Sequence, residues 1–269
     1  MVDPQEQLRL ATGAPRRSLR VRVFLELFCG CAAMSRAICG AGGFVLCWDF
    51  SLGPKYDLTI ASRRRLVFGW IRAGLVWGSH LGTDCRSWSR ARDNGKNGWP
   101  GPLRSDTQVM GLDGLSDKDQ LKVQLGNTLM IFSFAVLTLC HRLSLPATME
   151  NPGRSRIWLT QQCIQLRRLP RFTEAVCHYC QYGMRWKKET RFIGVNISLH
   201  CIEKRCSGGR LCSTTGLPHV TLSGIDPSTG KWKTSFGNAY PRPLCRLLAA
   251  AFYDADAVVF SQRMSKLIA

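Results

Sequence analysis

The chain is poor in acidic residues and has no long apolar run, secretory leader or regular cysteine framework. Aspartate and glutamate number 18 against 37 lysines and arginines, a formal net charge of +19 over 269 residues. Such an excess favours a polyanionic partner, most simply DNA or RNA. The longest apolar stretch, Met130 to Cys140, is broken by Ser133 and Thr138. It is too short for a bilayer and reads as a buried helix, so no membrane partner is expected. Residues 1–20 are polar and interrupted by Pro4 and Pro15, unlike a secretory leader. The thirteen cysteines are odd in number and irregularly spaced, which disfavours a disulfide scaffold and fits a reducing interior. The expected location is intracellular, nuclear in a eukaryote.

What is present is 45% apolar, enough for a sizeable core. Residues 1–20 form an expected basic, disordered arm ending in Arg16, Arg17 and Arg20. A strand is predicted over 21–28, then a glycine-bearing turn, a small-residue helix over about 32–39, and glycines 40, 42 and 43 as its stop. A second strand runs over 44–49 and ends in an acid, Asp49. This order opens a parallel α/β sheet with helices on both faces. A third strand covers 75–81. Residues 93–118 form a long polar loop, a length that is usually functional. Ser116 and Asp119 mark the start of a long helix reaching about Leu143. A short strand at 146–149 leads into Glu150-Asn151-Pro152. A mixed helical stretch spans about 158–176, and a last helix runs from about Pro243 to Tyr253. Four regions result: the arm 1–20, a main α/β domain 21–176, a Cys/His-rich region 177–235, and a segment 236–269 that returns to the main domain.

Cys85 stands just past the third strand, in Thr83-Asp84-Cys85-Arg86-Ser87-Trp88-Ser89. Ligands and chemistry gather at the carboxyl edge of open parallel sheets. A thiol placed there is a candidate nucleophile among thirteen.

The order of motifs resembles the DNA (cytosine-5) methyltransferases over roughly residues 21–253. Phe28-Cys29-Gly30-Cys31 is similar to the turn that wraps S-adenosylmethionine. Asp49 matches the acid for the ribose hydroxyls, Phe50 the ring against adenine, and Asp57 the acid at the adenine amino group. Asp84-Cys85-Arg86-Ser87-Trp88-Ser89 resembles the loop carrying the nucleophile, and Glu150-Asn151-Pro152 the Glu-Asn motif. Lys187-Lys188-Glu189-Thr190-Arg191 resembles the motif of a catalytic-site arginine, Gly237-Asn238-Ala239-Tyr240-Pro241 the last cofactor motif. The resemblance implies a Rossmann-like sheet, S-adenosylmethionine as cofactor, and a flipped cytosine as substrate. It implies Cys85, Glu150 and Arg191 as catalytic residues; the alternative for Arg191 is one of many phosphate-facing basics, for which Lys187 or Lys188 could substitute. Phe28, Gly30, Asp49, Phe50, Asp57 and Asn238 are the implied cofactor residues. Arg86, Arg90, Arg92, Lys187 and Lys188 are expected on nucleic acid. The loop 86–118, which also carries Lys96 and Arg104, is expected to cover the base.

Thiolate addition at carbon 6 makes carbon 5 nucleophilic, which explains the need for a cysteine. A carboxyl at the ring nitrogen compensates the charge that develops. Two features depart from the family. Asp84 replaces the usual proline and puts a negative charge beside the thiol, which opposes its ionisation. An RNA cytosine methyltransferase is one alternative reading, and Asp84 favours the other, a catalytically inactive nucleic-acid-binding relative. Only about forty residues, 196–235, fill the interval where a target-recognition region normally sits. That interval and its approach hold Cys177, His178, Cys180, His200, Cys201, Cys206, Cys212 and His219. Four of these, with Cys180, Cys201, Cys206 and His219 as the candidate set, could bind zinc.

Overall fold

Val23–Leu27 (β1) is buried along its whole length, as an interior strand of a sheet covered on both faces must be. The computed structural model describes residues 22–93 and 100–268. The expected arm 1–20 and Lys96 lie outside the described residues. β1 is followed by Ala33–Gly40 (α1), Val45–Trp48 (β2), Ala61–Arg72 (α2) and Val76–Leu81 (β3). Asp117–Arg142 (α3), Ala147–Pro152 (β4), Gln161–Arg167 (α4), Phe172–His178 (β5), Glu189–Val195 (β6) and Arg242–Ile268 (α5) complete the order.

The six strands form one sheet in the order β2-β1-β3-β4-β6-β5. β1 pairs in parallel with β2 and β3, and β3 with β4, while β6 is antiparallel to both neighbours. The architecture is α/β with a mixed sheet, compatible with a Rossmann-like fold. The chain leaves β1 toward β2 on one side and later fills the other side with β3. Open sheets bind ligands at such a reversal, beyond the strands' carboxyl ends.

Alternation along β1 distributes its side chains. Val23, Leu25 and Leu27 join a core with Trp70 and Ile71 of α2, Phe134 and Leu137 of α3, and Leu166 of α4. Phe24 faces the other core, with Met34 and Ile38 of α1 and Leu244, Leu248 and Phe252 of α5. The α5 residues recur at helical spacing and form one apolar stripe. Each fully buried Leu or Phe contributes roughly 2–3 kcal/mol through area removed from water.

The start of α3 follows expectation: Ser116 caps it by accepting a hydrogen bond from Asp119 N at 3.3 Å. By length and composition α3 would cross a bilayer, yet 56% of its apolar window is buried inside the fold. Two expectations need correction. The stretch 158–176, read as helical, ends in β5, whose Phe-Thr-Glu-Ala-Val pattern is resolved only by pairing with the later β6. The boundary drawn at 177 therefore falls inside a strand. Both β5 and β6 belong to the main sheet.

Candidate functional site at the carboxyl edge of the sheet

The sharp turn after β1 is built from left-handed backbone at Phe28 (φ 56°), Gly30 (φ 49°) and Ala32 (φ 53°). Phe28 and Ala32 adopt it despite carrying a Cβ, a conformation uncommon for such residues. Gly30 N donates to Asp49 Oδ2 at 3.0 Å, so the turn after β1 and the end of β2 are tied together. Asp49 Oδ1 accepts from Ser51 N at 2.8 Å and Ser51 Oγ at 2.6 Å. Phe50 follows with 69% of its surface exposed. Asp57 caps its own turn by accepting from Thr59 N at 2.8 Å and Thr59 Oγ1 at 2.7 Å. Asn238 is exposed on the segment before α5. An exposed aromatic ring, a carboxylate and a tightly turned backbone at one edge suit a nucleoside-bearing cofactor. The further carboxylate, Asp57, is held by its own turn.

Cys85 lies four residues past β3, at the head of a helical turn in which its carbonyl accepts from Trp88 N at 3.0 Å and Ser89 N at 2.8 Å. Burial pushes its thiol up to about 11, Lys188 opposes this, and Glu150 and Asp84 add to it. Asp84 is turned toward Arg86, accepting from its Nε at 2.8 Å and its backbone N at 3.2 Å.

Glu150 is 7% exposed within β4. Lys188 Nζ lies 3.4 Å from its Oε1 and donates to Gly237 O at 3.0 Å. Tyr240 donates its hydroxyl to Glu150 Oε2 at 3.3 Å. His80 Nε2 lies 3.1 Å from Tyr240 Oη, and His80 Nδ1 lies 2.8 Å from Thr148 Oγ1. Burial pushes the His80 imidazole down to about 3, so the ring is neutral. With Tyr240 donating to Glu150, Nε2–H donates to Tyr240 and Nδ1 accepts from Thr148. The chain Thr148–His80–Tyr240–Glu150 thus has one consistent direction. Asn151 Nδ2 donates to Thr83 O at 2.7 Å, which ties β4 to the loop leading to Cys85.

Sheet parity corrects the role expected of Arg191. In the β4–β6 pairing Glu150 faces Phe192, while Arg191 is opposite Asn151, and paired residues share a face. Arg191 therefore points to the other side. There it pairs with Glu174 at 2.8 Å and lies over the Trp158 ring at 5.7 Å. The cation beside Glu150 is Lys188. Tyr240 and His80 were missed: Tyr240 stood inside the motif read for the cofactor, and His80 was hidden in the apolar run of β3.

The residues expected on nucleic acid are mostly engaged with the protein. Arg90 binds Arg154 O at 3.0 Å and Asp106 at 2.6 Å, and Arg92 binds Gly101 O at 2.9 Å. Lys187 binds Gly208 O at 2.6 Å. Arg86 alone of the five leaves its side chain 87% exposed. Arg156 grips Asp93 at 2.7 Å and Asp106 at 3.0 Å. Arg104 is 1% exposed, stacked 3.4 Å over Trp88 and bonded to Ser87, Val109, Val123 and Asn127. These contacts pin the described part of loop 86–118 to the domain, and its arginines are not simply solvated.

A cluster of metal-ligand type stands beside this site. Cys180, Cys206, Cys212 and His219 bring their ligand atoms within 4.8 Å of one another. A tetrahedral site with bonds of about 2.3 Å needs separations of roughly 3.8 Å, so the four can hold a metal after small adjustments. Cys201 is not part of it: the residue is exposed, with Sγ 3.8 Å from Leu247 O. Cys212 takes its place. His219 Nδ1 lies 3.0 Å from Gly209 O. A carbonyl can only accept, so Nδ1 carries the proton and Nε2 presents its lone pair to the cluster, 3.7 Å from Cys206 Sγ. Ser213 donates from N at 3.4 Å and Oγ at 3.3 Å to Cys206 Sγ. Burial opposes ionisation of the Cys206 thiol, but these donors, together with contacts to the Gly208 backbone and the Cys180 thiol, hold it below its ordinary value.

A scan against models of protein families finds no match for this chain, and a search among curated proteins finds no relative.

Proposed function

We propose that the chain transfers a methyl group from S-adenosylmethionine to carbon 5 of cytosine in DNA, through a covalent adduct at Cys85. The observation that carries this reading is the convergence of Cys85 and a buried Glu150, paired with Lys188 and bonded by Tyr240, at the carboxyl edge of one sheet. The motif order from Phe28 to Tyr240 supports it, and the charge of +19 suits the polyanion. Phe28, Gly30, Asp49, Phe50, Asp57 and Asn238 would hold the cofactor, which supplies an electrophilic methyl group when bound.

In this reading the Cys85 sulfur bonds to carbon 6 of the extruded base. The ring electron pair shifts toward the nitrogen beside the carbonyl, and Glu150 neutralises it there with a proton or a hydrogen bond. Lys188 and Tyr240 fix the carboxyl for that role. Carbon 5 takes the methyl group, its proton is then removed, and the carbon–sulfur bond breaks to release the thiolate.

A second reading has its own observation. With the thiol at about 11, on the order of one in ten thousand is ionised at pH 7. Asp84 contributes to this, which favours a nucleic-acid-binding relative without activity. Labelled cofactor with DNA or with RNA, and Cys85→Ser alongside, separates the readings. Transfer to DNA that the substitution abolishes supports the first, and transfer only to RNA moves the substrate. Binding of polyanion with no transfer leaves the second.

The same proposal includes zinc as the metal of the Cys180, Cys206, Cys212 and His219 cluster. Three sulfurs and one imidazole within 4.8 Å of one another suit zinc, and four protein ligands would leave no open position, as in structural sites. Metal analysis of the purified protein tests it, with one zinc per chain expected and a small fraction of one contradicting it.

A further inference from the structure

We propose that the metal centre formed by Cys180, Cys206, Cys212 and His219 is a clamp that sets Lys188 against Glu150, so that chemistry at the sheet edge depends on metal occupancy through this lysine. The inference rests on the zinc reading above and adds a physical route from the metal to the site. Zinc there has a structural effect felt by a positioning residue of the reaction.

The loop supplying three of the ligands buries no side chain besides them. Between residues 203 and 219 only Cys206 and Cys212 are buried, and their apolar cluster consists of Cys180, Cys206 and Cys212 alone. A loop whose sole buried side chains are metal ligands has no apolar core of its own, so metal binding contributes to its folding free energy beside its hydrogen bonds. Its turn is tight as well, since a Cβ at Gly208 would collide with Leu211 O.

That loop is stapled along the segment 178–188, which ends at Lys188. Cys206 N donates to His178 Nδ1 at 2.8 Å, and His178 N to Lys204 O at 2.9 Å. Thr214 Oγ1 donates to Gln181 Oε1 at 2.6 Å, and Val220 N to Arg185 O at 2.8 Å. Cys180 in the same segment is itself a ligand. The final link is Lys187, whose Nζ reaches Gly208 O, between two ligands, at 2.6 Å.

Lys187 and Lys188 are adjacent on the run into β6, and neighbouring side chains in extended chain leave on opposite sides. One lysine grips the metal loop and the next grips Glu150 and Gly237 O. Loss of the metal removes the anchor of the first and frees the backbone that aims the second. The core strands β1 and β3, which have no contact with the loop among these bonds, stay in place.

Amide hydrogen exchange on the zinc-loaded protein, before and after zinc removal by a chelator, tests the clamp without requiring methyl transfer. The expected result is loss of protection over both 204–220 and 178–190 with residues 23–27 and 76–81 unchanged. Lys187→Met gives a second test that spares the ligands. It is expected to keep its zinc, lose protection at 185–190 and lower transfer about tenfold. Adding Lys188→Met to it is expected to cost no more than Lys188→Met alone, because both act through one contact. Unchanged protection at 178–190 after zinc leaves, or full transfer by zinc-loaded Lys187→Met, overturns the clamp while leaving the zinc reading standing. A protein that takes up no zinc overturns both.

Discussion

Lys188 Nζ lies 3.4 Å from Glu150 Oε1, while Arg191, three residues along the chain, points through the opposite face to Glu174 at 2.8 Å. The two cations therefore have different consequences when removed. Lys188→Met is expected to lower methyl transfer by about 10²–10³-fold, the scale seen when one preorganised electrostatic contact is lost. Arg191→Met is expected to leave transfer within a few-fold and to cost about 1 kcal/mol of stability. Steady-state kinetics and denaturant midpoints on both variants check this, and the reverse ranking would restore Arg191 to the site.

The Cys85 thiol is held up at about 11 mainly by burial, with Glu150 and Asp84 adding to it. Asp84→Asn removes one of the two negative charges, so the thiol should ionise at lower pH and transfer should rise. Alkylation of Cys85 followed by mass spectrometry across pH 7 to 11 measures the shift. An unchanged or higher titration midpoint would mean that Asp84, through its bond to Arg86, exerts no field on the sulfur.

Glu26 gives stability a dependence on pH that is independent of catalysis. Burial raises its carboxyl from 4.5 to about 7, against the hydrogen bonds from Ser35 N and Oγ. A raised carboxyl binds its proton more tightly in the folded state. Its contribution is therefore complete below about pH 4.5 and is lost as pH rises through about 7. The shift corresponds to about 3 kcal/mol. Glu26→Gln should flatten the fall in unfolding free energy between pH 4.5 and 7, as followed by denaturant titration. An unchanged slope would place the titrating group elsewhere.

Arg104 carries a structural burden that its sequence neighbours do not announce. Arg104→Ala would leave the carbonyls of Ser87, Val109 and Val123 without this donor and uncover Trp88. A loss of about 2–4 kcal/mol is expected from a buried hydrogen-bonded charge of this kind, read from the urea midpoint. A loss of only about a few tenths of a kcal/mol would mean the loop closes without it.

Much of the sheet was legible because its signals are local. β1, β2 and β3 are short apolar runs closed by turn residues, and Ser116 with Asp119 announced α3. The edge position of Cys85 followed from β3 alone. Features set by pairing between distant segments were not legible. Which face Arg191 takes depends on the Asn151–Arg191 register across β4 and β6, and a shift of one residue would exchange it with its neighbours. Cys201 and Cys212 look alike in sequence. Only the fold shows that the turn at Cys212, closed by Gly216 N to Cys212 O at 2.8 Å, brings one thiol inward while the other stays exposed. Arg104 looked like one more surface cation in a polar loop until Trp88 was seen beneath it.

The central claim is that Cys85 attacks cytosine. Its most direct measurement is transfer of labelled methyl from S-adenosylmethionine to carbon 5 of cytosine in DNA, by the native chain and by Cys85→Ser side by side. Label is expected in DNA with the native chain, and none above background with the variant. Equal labelling by both, or none by either while the native chain still binds DNA, would contradict it.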